Sequence, residues 1–361
     1  MKIVTIVGAR PQFIKAAAVS RVLRKKNIEI LVHTGQHYDN NMSDIFFEEL
    51  SIPKPEYNLG IGSDTHAKQT AKMMIGIEGI LLNEKPDYLM VYGDTNSTLA
   101  GALAASKIHV PIIHIEAGLR SYNMRMPEEQ NRILTDRISN ILFCPTEVAV
   151  DNLKKENITE GVHLVGDVMC DAVLYYSKEM DGQSVYEYMS QLKGLFGQVN
   201  VPERWYLATI HRAENTDSID KISEIIKAFE QLKAPVIFPV HPRTKNLVKE
   251  LNNQHSYSNI IFVNPIGYLE MLYFTKNAIK VITDSGGLQK EAYILNTPCI
   301  TIRDQTEWVE TLIGNHNILA QPKHNDILDK VQNISIDEDM KKSYYGIGDA
   351  SEKISSIISK E

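Results

Sequence analysis

The 361-residue chain holds three cysteines, Cys144, Cys170 and Cys299, with no pattern in their spacing. An odd, sparse set excludes a disulfide framework and a Cys-x-x-Cys zinc site. Buried thiols in a reducing cytoplasm are expected instead. No apolar run approaches the ~18 residues a membrane helix needs, so no membrane partner is expected. The apolar run at residues 3–7 is too short for a secretory leader and passes into Gly8-Ala9-Arg10-Pro11 without a cleavage pattern. The formal net charge is −7 and no basic block occurs, which argues against nucleic acid. No Gly-x-x-x-x-Gly-Lys-Ser/Thr is found, and the first strand carries no Gly-x-Gly-x-x-Gly, so neither a P-loop nor a dinucleotide cofactor is supported. His114, His211 and His241 show no ligand spacing, and His33 and His37, though four residues apart, straddle the strand end at Thr34-Gly35-Gln36 rather than share a helix, so no metal is expected.

What is present is alternation. Short β-branched runs at residues 3–7, 29–34, 88–92, 112–115, 141–144 and 162–165 alternate with helical patterns at 13–25, 42–50, 67–83, 97–108 and 130–139. The second half repeats this, with strands at 205–209, 235–239, 260–263, 278–283 and 299–302 and helices at 219–231, 245–252, 268–276 and 288–295. Such βαβ alternation implies parallel sheets covered by helices. The length exceeds what one core usually supports. The expected fold is α/β with two doubly wound Rossmann-like domains. One holds residues 1–166 and the other starts at 167.

Doubly wound sheets bind ligands beyond the carboxyl ends of their strands. Unusual polar residues cluster there in both halves: Arg10 and Lys15, Asp94, Glu116, His211, His241, and Asp284-Ser285-Gly286-Gly287. A shared site in a cleft between the domains is expected. At residues 284–291 an apolar strand breaks at two glycines and becomes helical at Leu288. Glycines allow close backbone approach, and free N–H groups at a helix start favour an anion. Glu291, about one and a half turns on, could accept hydrogen bonds from a ribose. The same segment also reads as a plain strand-to-helix turn with a solvated Glu.

Arg10 and Lys15 suit a diphosphate or carboxylate. Asp94, Glu116 and Glu128, with His211, allow opposed acid and base roles if burial separates their pKa values. Two plainer roles stand beside these. Asp94 precedes a helix and reads as an N-cap. Arg132, four residues after Glu128, could form an intrahelical pair with it. Pro242 holds His241 in an extended conformation, so its ring projects from a fixed position.

With these residues in order, the chain resembles the non-hydrolysing UDP-N-acetylglucosamine 2-epimerases. The resemblance rests on Gly8-Ala9-Arg10-Pro11-Gln12-Phe13-Ile14-Lys15, Gly93-Asp94-Thr95-Asn96-Ser97-Thr98, His114-Ile115-Glu116-Ala117-Gly118-Leu119-Arg120, Pro127-Glu128-Glu129-Gln130-Asn131-Arg132, His211-Arg212-Ala213-Glu214-Asn215, Pro239-Val240-His241-Pro242, residues 284–291, Arg303-Asp304-Gln305-Thr306-Glu307 and residues 345–351. It implies a glycosyltransferase-B-type fold whose last helix, residues 345–361, returns to the first domain, leaving 167–344 as the second. It also implies a homodimer, a UDP-sugar substrate and no cofactor or metal. By motif, Arg10, Lys15, His241, Ser285, Gly286, Gly287 and Glu291 would bind UDP. Asp94, Glu116, Glu128, Arg132 and His211 would surround the reacting carbons, with Asp94 and Glu116 flanking C2. The implied reaction removes the C2 proton as UDP leaves C1, then returns both with C2 inverted, in the service of surface-polysaccharide synthesis.

Two departures resemble the branch acting on UDP-2,3-diacetamido-2,3-dideoxy-glucuronate. These are Trp308-Val309 where many relatives have Arg-Pro, and Gly8-Ala9-Arg10-Pro11-Gln12-Phe13 where Gly-Thr-Arg-Pro-Glu is more usual. Arg125, Arg212 and Arg243 are candidates for the uronate carboxylate. Gln36-His37-Tyr38 keeps part of an activating second-substrate site. Three rival readings are a glycosyltransferase of the same fold, a hydrolysing 2-epimerase and a non-catalytic nucleotide-sugar sensor. The Pro-Glu-Glu-x-Asn-Arg segment argues against the second, and the crowding of acids with His211 against the third.

Overall fold

The computed structural model describes residues 1–35, 47, 49–181, 188, 190, 192–200 and 202–360. The Gln36-His37-Tyr38 segment and most of the helix expected at 42–50 lie outside them. The chain forms two compact units, Met1–Ala172 with Ser343–Glu361, and Val173–Lys342.

In the first unit the strands are β1 (Lys2–Val7), β2 (Ile28–His33), β3 (Tyr57–Asn58), β4 (Tyr88–Tyr92), β5 (Ile112–Ile115), β6 (Ile141–Cys144) and β7 (Val162–Leu164). Among the described residues they form one seven-stranded sheet in the order β3-β2-β1-β4-β5-β6-β7. Each pairing is parallel, with Ile3 opposite both Glu29 and Tyr88. The helices are α1 (Arg10–Leu23), α2 (His66–Glu84), α3 (Asn96–Lys107), α4 (Pro127–Ile138) and α5 (Glu147–Lys155), then α6 (Val168–Met180). The inner strands β1, β2, β4, β5 and β6 are buried along nearly their whole length, as a sheet covered on both faces requires, while the edge strands β3 and β7 are not. One core packs Val4, Ile6, Val32, Leu89 and Val91 against Met73 and Ile77 of α2 and the alanines of α3.

The second unit repeats the plan. Its strands are β8 (Tyr206–Thr209), β9 (Val236–Pro239), β10 (Ile260–Val263), β11 (Val281–Thr283), β12 (Cys299–Ile302) and β13 (Asn317–Ala320). They form a parallel sheet in the order β10-β9-β8-β11-β12-β13. Its helices are α7 (Ala213–Thr216), α8 (Ile219–Glu230), α9 (Pro242–Gln254), α10 (Tyr268–Lys276), α11 (Gly286–Ile294) and α12 (His324–Asn333). The periodicity missed β13 and α12. β13 is an edge strand that opens on the buried polar Asn317, and α12 buries only Ile327 and Val331.

The division between units falls inside α6 rather than before it, and the last helix, α13 (Ala350–Ile358), belongs to the first unit. The start of α6 is held there by hydrogen bonds. Asp167 N donates to Tyr345 O at 2.9 Å. Asp171 accepts from the backbone N–H groups of Ala350 at 3.1 Å and Ser351 at 2.6 Å, which stops the N-terminus of α13.

Candidate active site

Strand order reverses at one pair in each sheet. In the first unit this is β1/β4, because β1 leads outward through β2 to β3 while β4 leads the other way. Ligands gather at such switch points. Gln12, in the first turn of α1, joins the two loops there. Its Oε1 accepts from Gly8 N at 2.8 Å and Ala9 N at 3.1 Å. Its Nε2 faces Tyr92 O at 2.8 Å and the hydroxyls of Thr95 and Thr98 at 3.0 Å each. Gly8 is required by close approach: a Cβ there would lie 2.2 Å from Ser97 Oγ.

Lys15, on α1, is ion-paired with Glu116, which follows β5, and both side chains are almost wholly buried. Glu116 adopts φ +70°, a left-handed conformation costly for a non-glycine residue. Its Oε2 lies 3.1 Å from where a Cβ on Gly93 would sit, so the carboxylate reaches the residue preceding Asp94. Asp94 does not cap α3. Thr95 does, with its Oγ1 accepting from Thr98 N. Asp94 is ion-paired with Arg132 instead. Arg132 also pairs with Glu129, Nη1 to Oε2 at 2.7 Å, rather than with Glu128. Glu129 is buried, which opposes its charge. Hydrogen bonds from Ser121 and Tyr122 and the Arg132 charge outweigh this and hold its carboxyl below the usual value. Glu128 lies exposed in the first turn of α4, and Arg10 is half-buried as the first residue of α1.

A buried network underlies these acids. His114 on β5 faces Asp136 Oδ1 with Nδ1 at 2.7 Å and Gly93 O with Nε2 at 2.7 Å. Asp136 Oδ2 accepts from Arg120 Nη1 at 2.7 Å and Gly118 N at 3.1 Å. Arg120 grips Glu156 through two further hydrogen bonds of 2.7 and 2.8 Å. Burial alone would raise the Asp136 pKa, but His114 and Arg120 pull it below the usual range.

In the second unit the switch pair is β8/β11. Asp284, fully buried after β11, accepts from His211 N at 3.1 Å, Arg212 N at 2.9 Å and Asn215 Nδ2 at 3.0 Å, all just after β8. His211 Nδ1 lies 3.6 Å from Asp284 Oδ1. Burial lowers the His211 pKa more than Asp284 raises it, and Arg212 and Arg243 lower it further. The ring is therefore neutral near pH 7. The His241 ring sits 5.1 Å away, centroid to centroid. Pro242 holds His241 extended, at φ −63° and ψ 146°, and its Nδ1 accepts from Arg243 N at 3.2 Å to cap α9.

Ser285 caps α11, and Gly286 and Gly287 open it. A Cβ on Gly286 would lie 2.4 Å from Glu307 Oε1 and 3.7 Å from Arg212 Nη2. Glu291 is buried further along the helix. Burial opposes the Glu307 charge, but Arg303, 2.8 Å away, outweighs it and keeps the carboxyl below the usual value. Trp308 is buried beneath Lys290, whose Nζ stands 4.0 Å from the ring centre.

The structure thus joins Lys15 to Glu116, Asp94 to Arg132, and His211 to His241, and it sets Ser285, Gly286 and Gly287 at one helix start. Among the residues that hold these groups, Gln12, Glu129 and Asp284 entered the sequence reading only as parts of motifs, with no role of their own, and Asp136 did not enter it. Asp136 gives no signal, being one polar residue within a polar helix. Among the described residues, no group of three or more His, Cys, Asp or Glu could hold a metal ion. No described helix is long and apolar enough to cross a membrane.

A family model described as UDP-N-acetylglucosamine 2-epimerase matches residues 21–359. A Methanococcus maripaludis protein named UDP-N-acetylglucosamine 2-epimerase homolog is 49% identical over 362 residues, covering 99% of each chain. The UDP-2,3-diacetamido-2,3-dideoxy-D-glucuronate 2-epimerase of Pseudomonas aeruginosa is 47% identical over 371 residues, covering 100% of each. The crystal structure of Methanocaldococcus jannaschii UDP-GlcNAc 2-epimerase in complex with UDP-GlcNAc and UDP matches all of both chains with a TM-score of 0.88 at 42% identity.

Proposed function

The chain belongs to the UDP-N-acetylglucosamine 2-epimerase family, and on that premise we propose that it inverts C2 of a UDP-2-acetamido sugar by eliminating UDP and adding it back. The observation that carries the reading is the gathering of two acids at Gly93. Glu116 touches that residue from β5, and Asp94 follows it from β4.

In the forward half, one carboxylate takes the C2 proton. The electron pair of that C–H bond becomes the C1=C2 double bond of a glycal. The C1–O bond breaks, and UDP leaves with its pair. In the return half, the UDP oxygen attacks C1 and the second acid delivers a proton to the opposite face of C2. Atoms and charge balance without an oxidant or a metal. Asp94 and Glu116 are the acids at C2, each steadied by a cation, Arg132 and Lys15. The C2 proton is weakly acidic, so stabilising the leaving diphosphate carries much of the barrier. That task falls to Arg10, the start of α11 at Ser285, Gly286 and Gly287, and Arg212 beside it. A neutral His211 gives or takes a proton at the leaving oxygen, and Glu128 supports protonation. His241 and Glu291 hold the nucleoside.

The Trp308-Val309 pair and Gln12 support the diacetamido-uronate as the sugar, with the M. jannaschii substrate, UDP-GlcNAc, as the competing choice. The three cysteines are buried thiols, and burial pushes Cys144 and Cys299 up to about 12, which supports a reducing, cytoplasmic setting. A homodimer is part of the reading.

The test is deuterium uptake in heavy water with each sugar in turn. The reading expects deuterium at C2 of sugar still attached to UDP. Release of free sugar, or no uptake from either substrate, would contradict it.

A further inference from the structure

Asp94 and Glu116 stand on loops after different strands, β4 and β5, yet one buried carboxylate fixes both loops. Asp136 Oδ2 takes the Gly118 N–H at 3.1 Å, two residues beyond Glu116. Its Oδ1 takes His114 Nδ1 at 2.7 Å, and the far side of that ring reaches Gly93 O at 2.7 Å, one residue before Asp94. We propose that Asp136 and His114 are positioning residues that set the spacing of the two acids at C2. The proposal rests on the epimerase reading above, and its test separates the two.

The hydrogen-bond chemistry is directional. Gly93 O can only accept, so His114 Nε2 carries a hydrogen. Asp136 Oδ1 is a carboxylate oxygen that accepts from Nδ1. Both ring nitrogens therefore carry a hydrogen, and the ring can turn neither way without losing a bond. Arg120 anchors the carboxylate from the other side and is itself anchored by Glu156. Burial opposes the charge on Arg120, but Glu156 and Asp136 outweigh it and raise its pKa.

The backbone at both loops needs such restraint. Gly93, Glu116 and Gly118 have φ values of +61°, +70° and +81°. Only glycine adopts these freely, and Glu116 holds its value against the usual preference. The helix that supplies Asp136 also supplies Arg132, which pairs with Asp94, and Asn131, whose Nδ2 donates to Asp94 O at 2.9 Å. One helix, α4, thereby locates one acid by side chain and backbone and the loop of the other by backbone. A reaction that takes a proton from one face and returns one to the other depends on that spacing. A misplacement of ~1 Å is enough to cost about 100-fold in rate.

Asp136→Asn keeps the shape but offers His114 at most one weak acceptor. The expected result is a fall of about 100-fold in the turnover number for C2 deuterium uptake, with KM and UDP affinity within about twofold of the parent. In a double-mutant cycle with Asp94→Asn, the Asp136→Asn substitution should cost at most about twofold in the residual rate, because the group it positions is gone. A full additive loss in the cycle would overturn the proposal, as would unchanged turnover in Asp136→Asn. If that variant does not fold, Glu156→Gln weakens the far end of the chain and should lower turnover severalfold at constant UDP affinity; unchanged turnover there overturns the proposal.

A readout independent of activity is nitrogen NMR of ring-labelled histidine in the parent protein, with His114 assigned by its loss in His114→Gln. Two slowly exchanging ring N–H groups are expected. One alone would overturn the positioning chain even if epimerisation stood. Conversely, two N–H groups with no C2 uptake by the parent would indict the epimerase reading and leave the network without its proposed task, overturning the role given to it here.

Discussion

Asp94 and Glu116 are held by different devices. Thr95 takes over the capping of α3, so the Asp94 carboxylate is available to Arg132. Glu116 accepts a left-handed backbone and a buried cation, Lys15. Removing one partner of a buried pair leaves the other charge uncompensated. Lys15→Met should therefore lower stability by about 3 kcal/mol in urea titration, besides removing activity. Asp94→Asn and Glu116→Gln should each lower C2 deuterium uptake by about 1000-fold, to a small residual rate, while UDP binding, measured calorimetrically, stays within about threefold, since UDP is assigned mainly to the start of α11. Full uptake in both variants would place the base elsewhere.

His211 gives a pH test. Its folded pKa lies below the unfolded value of about 6.5, so as pH falls below that value the unfolded chain gains a proton that the folded chain refuses. Stability therefore drops through that window, and it should drop less steeply in His211→Gln; equal slopes would remove His211 as the cause. At this scale the sequence revealed residues whose type is unusual for their place, such as Asp94 and His211 at strand ends. It hid Asp136 and Glu129, because an acid within a polar helix looks solvated until the helix is laid against the sheet.

Among the elements, the starts of α1 and α11 are shaped by close approach. A methyl group on Gly8 would collide with Ser97 and Thr34, whose hydroxyls are buried and bonded to each other at 2.8 Å. Gly8→Ala should cost about 2 kcal/mol by thermal or urea unfolding, because neither hydroxyl can move aside. Gly286→Ala meets only the half-exposed end of Glu307, so stability should change by less than about 1 kcal/mol. It crowds the N–H groups offered to an anion, so UDP affinity should fall about tenfold. An unchanged affinity would take the diphosphate away from this helix start. Strands with continuous apolar runs, such as β4 and β5, were legible to the residue. The edge strands β3 and β13 were not, since a two-residue strand and one opening on Asn carry too little pattern.

At the scale of the molecule, both units place their unusual polar residues at the strand pair where sheet order reverses, β1/β4 and β8/β11. The alternation of strands and helices made two doubly wound units legible. The point where the chain changes unit was not, because Asp167 and Asp171 tie the start of α6 to the C-terminal segment over more than 170 residues of sequence. The central claim is that C2 inversion proceeds by breaking and remaking the bond between C1 and UDP. It is tested most directly with substrate carrying ¹⁸O in the bridge between C1 and the β-phosphorus. The account predicts that the label scrambles into the non-bridging oxygens of the β-phosphate in recovered substrate, alongside deuterium uptake at C2 in heavy water. Deuterium uptake with the label held in the bridge would contradict it.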